Sequence, residues 1–106
     1  MTAGVLLRLF VHEGQHHHGE VIYDWLLRRA RTMGITGGAA YREIAGYGRH
    51  DRLHEQSFFE LAGQLPVEVA FAMTESDAQK FLEMLASEVP RLFYIKSPCE
   101  FGYIGQ

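Results

Sequence analysis

Seven consecutive residues, Val67-Glu68-Val69-Ala70-Phe71-Ala72-Met73, leave the chain the least freedom, because bulky apolar side chains stand at every second position with small or charged ones between them. Strand side chains point alternately to two faces, so this spacing predicts a strand with one strongly buried face. Pro66 precedes it and Thr74 follows. Thr74-Glu75-Ser76-Asp77 then offers a hydroxyl and first-turn acids to the unpaired amides of a helix start. That helix is expected to run through Phe81, Leu82 and Leu85 and to stop by Pro90.

The first half repeats the plan. Gly4 to Val11 is rich in β-branched and bulky apolar residues around one charge, Arg8, and predicts a strand that ends at Glu13-Gly14. From Gly19 to Met33, Ile22, Trp25, Leu26, Ala30 and Met33 recur at helical spacing, opposite Asp24, Arg28 and Arg31. Gly34 stands where helices commonly stop in a left-handed conformation. A short strand over Ala39 to Ile44 is bounded by Gly37-Gly38 and Gly46, and a long loop follows from Gly46 to Gln64. Leu92 to Lys96 reads as a last main strand ended by the turn signal Ser97-Pro98, with Phe101-Gly102-Tyr103-Ile104 as an additional C-terminal edge strand.

Strand, helix, strand, loop, strand, helix, strand is two βαβ units in succession. The expected fold is therefore α+β, a ferredoxin-like βαββαβ sandwich with both helices on one face of the sheet. The other face and the edges then need cover, which predicts an oligomer.

Composition narrows the function. The 106 residues fit one domain, 1–106, with no room for separate catalytic and binding domains. A net charge of −3 lacks the positive excess that phosphate-backbone binding favours, so nucleic acid is not the expected partner. Cys99 is the only cysteine and cannot form an internal disulfide, and no basic stretch leads into an apolar run at the N-terminus. No apolar run approaches the roughly 20 residues that span a bilayer. The expectation is a cytoplasmic protein without direct membrane insertion.

Met33-Gly34-Ile35-Thr36-Gly37-Gly38, followed by Gly46-Tyr47-Gly48-Arg49-His50, resembles the helix-end and loop-base signature of PII signalling proteins, Gly-Ile-x-Gly, a strand, then Gly-Phe-Gly-Arg-Gln. The run from Leu9-Phe10-Val11 through His54 to Leu65-Pro66-Val67 is closer still to the PII-like family catalogued as domain of unknown function 190. The resemblance implies a homotrimer whose intersubunit clefts bind a small anionic ligand, commonly an adenine nucleotide in PII proteins, and a regulatory rather than enzymatic role. It places the ligand at Gly38, Ala39, Gly46, Gly48, Arg49 and His50, and gives Arg52, His54 and Phe58 to a loop that contacts a partner. Members of the family are often encoded beside small fluoride exporters, which implies a membrane transporter partner.

Residue chemistry agrees in part. Glycine lets a backbone approach a phosphate closely, successive amides cradle anions, and Arg49 offers a planar multidentate donor. Ser87 to Arg91 lacks the Gly-Asp-Gly-Lys loop of PII proteins, with Arg91 and Lys96 as candidate replacement charges, and the tail lacks their paired arginines. The loop has no tyrosine matching the residue modified in PII proteins, so nucleotidylation is not carried over.

An alternative reading starts from His12, His16, His17 and His18, since imidazole binds zinc, copper and nickel, and would make the chain a metal-binding trimer like the CutA proteins. Adjacent histidines do not share the i, i+4 geometry of a helical metal site, and no cysteine cluster completes a ligand set, so a metal is not the expected cofactor. Ser57, Thr36 and Cys99 lie in no recognisable nucleophile arrangement. Glu20 and Asp24 read as a solvated ion-pair face beside arginines, not as a general acid and base.

Overall fold

The computed structural model describes residues 1–45 and 65–105. In chain order these form β1 (Thr2–His12), β2 (His16–His17), β3 (Glu20–Val21), α1 (Ile22–Thr32), β4 (Gly38–Arg42), β5 (Pro66–Met73), α2 (Glu75–Glu88) and β6 (Phe93–Phe101).

The main sheet has the order β4-β5-β1-β6, with every neighbouring pair antiparallel. β5 separates β1 from β4, and β1 separates β5 from β6, so each crossover helix spans an intervening strand in the ferredoxin-like manner. Register places Val5, Leu7, Leu9 and Val11 opposite Met73, Phe71, Val69 and Val67, and all eight are buried. The alternation at 67–73 thus marks the core face.

Both helices cover that face. Ile22, Trp25, Leu26 and Ala30 come from α1, and Ala78, Phe81 and Leu85 from α2. The Phe81 ring meets the Phe71 ring edge-on with centroids 5.5 Å apart. Thr74 caps α2 as expected, its hydroxyl accepting from the Asp77 amide at 3.1 Å. α1 closes through Gly34 at φ 87°: the Ile35 amide donates to the Ala30 carbonyl and the Gly34 amide to the Arg31 carbonyl, satisfying carbonyls that the helix end would orphan.

Two boundaries differ from expectation. α1 begins at Ile22, not Gly19, because residues 16–21 fold into a small hairpin in which His16 pairs with Val21 and His17 with Glu20. Its two turn residues, His18 and Gly19, both have positive φ, 52° and 79°, the conformation that tight hairpin turns demand. At the C-terminus Ser97-Pro98 does not end a strand: β6 runs unbroken from Phe93 to Phe101, and Gly102 to Gly105 add no separate edge strand. Among the described residues β6 has a neighbouring strand on one side only, and an edge strand tolerates a residue that cannot donate.

Among the described residues, none covers the sheet face away from the helices. Leu6, Arg8 and Phe10 of β1 stand there beside Ala70, Ala72 and Glu68 of β5 and Phe93 and Ile95 of β6. Phe93 is 40% and Ile95 36% exposed. In its midst Arg8 donates twice to Glu68, at 2.9 and 3.1 Å, and the guanidinium also lies over the Phe10 ring.

Candidate functional site

The loop-base residues Gly46, Gly48, Arg49 and His50, and the partner-loop residues Arg52, His54 and Phe58, lie outside the described residues. The described part of the expected ligand site is Gly38 and Ala39, at the start of β4.

There the turn from α1 into β4 leaves an open bay of about 510 Å³. Its walls include Leu27 and Phe71 on the apolar side, Arg31 from the last turn of α1, and the backbone from Gly34 to Gly38. The two central glycines differ. A Cβ on Gly38 would collide with the Phe71 ring and come within 3.2 Å of Leu27 Cδ2, so packing alone requires glycine at this position. A Cβ on Gly37 would meet nothing within 4 Å, so the bay stays open beside its bare backbone. Ala39 faces away, opposite Ala70 on the bare side of the sheet.

The histidines of the metal reading do not assemble. His12 ends β1 opposite Pro66, while His16 and His17 belong to the hairpin. The Gly14 carbonyl can only accept, so the His16 Nδ1–H donates to it at 2.8 Å. The His17 ring lies tilted against Trp25, with centroids 4.3 Å apart and 59° between the planes, and the His18 ring meets the His17 ring edge-on at 4.2 Å. Among the described residues no group of three His, Cys, Asp or Glu side chains is placed to hold a metal ion. A tilted ring contact with Trp25 positions His17, and a backbone hydrogen bond positions His16.

Of the candidate replacement charges, Lys96 is engaged elsewhere, donating to Glu75 at 2.7 Å. Arg91 is exposed and lines a second cavity, of about 380 Å³, between the hairpin and the α2–β6 connection. No sequence pattern announces this cavity, because it depends on a tight turn at His18-Gly19 that brings the imidazoles over the end of α2. Behind it Arg29 donates to Glu88 at 2.9 Å, and its guanidinium lies over Trp25, 5.3 Å from the ring centroid. The hydrogen bond from Arg29 holds the Glu88 carboxyl below its ordinary range, helped by the nearby charge of that guanidinium and of His17 and His18. Glu20 is likewise held low, first by its hydrogen bonds from Arg28, the shorter 2.7 Å. The solvated ion-pair face expected around Glu20 is thus present.

Residues 4–100 match the model of the DUF190 family, described as an uncharacterized ACR. The UPF0166 protein of Aquifex aeolicus is 37% identical over 78 residues, which is 74% of this chain and 74% of that protein. The UPF0166 protein MJ1524 of Methanocaldococcus jannaschii is 28% identical over 85 residues, 80% of this chain and 78% of that one. Among solved structures, the fold is similar to CPII, a nitrogen regulatory PII-like protein from Thiomonas intermedia bound to ADP, AMP and bicarbonate. That likeness has a TM-score of 0.60 at 18% identity and covers 97% of both chains. A PII-like signaling protein from Thermus thermophilus aligns with TM-score 0.57 at 16% identity, over 92% of this chain and 88% of that one.

Proposed function

The chain belongs to the DUF190 family, and from that premise we propose that it is a PII-like regulatory protein, not an enzyme, that binds an adenine nucleotide in clefts between the subunits of a homotrimer. The observation that carries this reading is the glycine-lined bay at the α1–β4 turn, on a chain whose fold is similar to that of a PII-like protein bound to ADP, AMP and bicarbonate. Leu27 and Phe71 offer the apolar wall that a purine ring needs, and the bare Gly37 backbone offers amide and carbonyl groups to its edge. Gly48 and Arg49 of an adjacent subunit's loop base then meet the phosphates, with His50 beside them.

In this reading the segment 46–64 reports ligand occupancy to a partner, through Arg52, His54 and Phe58, and the partner is a membrane transporter. In the same reading the chain docks on that transporter from the cytoplasmic side; no helix among the described residues is long and apolar enough to cross a membrane. The bare sheet face around Leu6, Phe10, Phe93 and Ile95 supplies the trimer contact.

Titration calorimetry with ADP and AMP, each with and without bicarbonate and magnesium, tests the ligand. Saturable binding is expected, with Arg49→Ala weakening it at least about tenfold, as loss of a charge-assisted contact does. Absence of heat at millimolar nucleotide, or unchanged affinity in the Arg49→Ala variant, would count against the assignment.

A further inference from the structure

We infer that the Arg8–Glu68 pair selects what may cover the sheet face away from the helices, and that it admits a second copy of this chain through an ion contact from Arg8 of one copy to Glu43 of the next. This rests on the reading of that face as the subunit contact and adds the residues that choose the partner.

Position comes first. Arg8 lies in β1 opposite Ala70 and Ile95, and Glu68 lies in β5 opposite Phe10, so both stand on the face away from the helices. Around them Leu6, Phe10, Phe93 and Ile95 are apolar, with the Phe10 and Phe93 rings tilted together at 5.6 Å. An apolar surface of any origin would suit that surround. It would not suit the centre.

The reason is hydrogen-bonding capacity. Arg8 donates through Nε and Nη2 to the two Glu68 carboxylate oxygens, at 2.9 and 3.1 Å. A guanidinium carries more N–H groups than these, so part of its donor edge stays unused by Glu68. The Arg8 side chain is 36% and the Glu68 side chain 20% exposed, which leaves both within reach of a covering surface. Hydrocarbon laid over them would remove water from the pair and return no hydrogen bond. A partner that fits must therefore bring a carboxylate.

The chain itself supplies one. Glu43 continues the alternation of Ale39 and Tyr41, which lie opposite Ala70 and Glu68 on this same face, and its amide donates to the Pro66 carbonyl at 2.9 Å. Its carboxylate makes no hydrogen bond or ion pair with another described residue, and its charge acts on Arg8 only at longer range. Each copy thus carries a guanidinium with donors to spare and an acid without a hydrogen-bonded partner among the described residues. In a closed ring, Arg8 of every copy meets Glu43 of its neighbour, and no charge is left over at the open end.

The test is sedimentation velocity on the full chain and two variants at matched concentrations, with the far-ultraviolet spectrum as the check on folding. Glu43→Gln keeps the shape and removes the charge. It should raise the concentration at which half the chains assemble at least about tenfold, the loss expected of one charged hydrogen-bonding partner. Arg8→Leu combined with Glu68→Leu makes the centre apolar and should spread the parent's single species into larger, mixed ones, because the contact then lacks its selective element. A Glu43→Gln variant that assembles as the parent does, or a double variant that forms the parent's species alone, would overturn the inference while leaving the subunit contact in place. A parent that stays monomeric at every concentration would overturn both.

Discussion

Gly37 and Gly38 are neighbours in sequence and opposites in physical role. Gly38 is closed in by Phe71 and Leu27, so Gly38→Ala should destabilise the fold by about 1–3 kcal/mol, the usual cost of overpacking a core, read as a lower urea midpoint. Gly37 has open space around it, so Gly37→Val should leave the midpoint nearly unchanged and abolish ADP binding by filling the bay. A Gly37→Val protein that binds ADP normally would remove the bay from the site. The glycine run was visible in the sequence, but its division into a packing residue and a lining residue was not, because that depends on which glycine faces a ring brought from β5. Acid should weaken two ion pairs at this same scale. Arg28 and Arg29 lower Glu20 and Glu88 below the ordinary value of 4.5, so the stability these pairs contribute is complete above that value. It is lost as pH falls through the lowered folded values. Urea midpoints should therefore fall on acidification below the ordinary value, with a shallower slope in Glu88→Gln. Both pairs are at the surface, so the effect is modest.

Among the elements, those with strong period and clear punctuation were legible. β5 was written in its alternation, α2 in its Thr74 cap and α1 in its Gly34 stop. Thr74→Ala should cost about 1 kcal/mol of stability, measured by chemical denaturation, since it removes the hydroxyl that holds the Asp77 amide. A loss near zero would mean that packing of Phe81 and Leu85 fixes the helix start unaided. Two elements escaped sequence reasoning for identifiable reasons. The hairpin at 16–21 rests on His18 in a left-handed conformation, which side chains other than glycine adopt rarely and which no hydrophobic pattern announces. β6 passes through Ser97-Pro98, normally a turn signal, because an edge position removes the cost of a missing donor. The described histidines do not gather into a ligand set, for a related reason. Counting histidines cannot reveal that one ring packs at a tilt against Trp25 and another is tied to the Gly14 carbonyl.

At the scale of the whole molecule, the order β4-β5-β1-β6 with both helices on one side leaves an apolar sheet face that no other described residue covers. Burying such a face yields about 25 cal/mol per Å², and the Arg8–Glu68 pair in its centre penalises any packing that would separate the two charges. Ile95→Glu adds an acid to this face and should convert a trimer into monomers in sedimentation velocity while the far-ultraviolet spectrum stays native. A trimer that survives this change would place the contact elsewhere. The nucleotide reading depends on that assembly, because it assigns the bay and the loop base of each cleft to different subunits. A crystal structure grown with ADP tests both together. We expect three subunits joined through the sheet faces, with ADP in each intersubunit cleft and its base against Leu27, Phe71 and Gly37. A structure in which those clefts are absent, or stand empty at saturating ADP, would contradict the regulatory assignment.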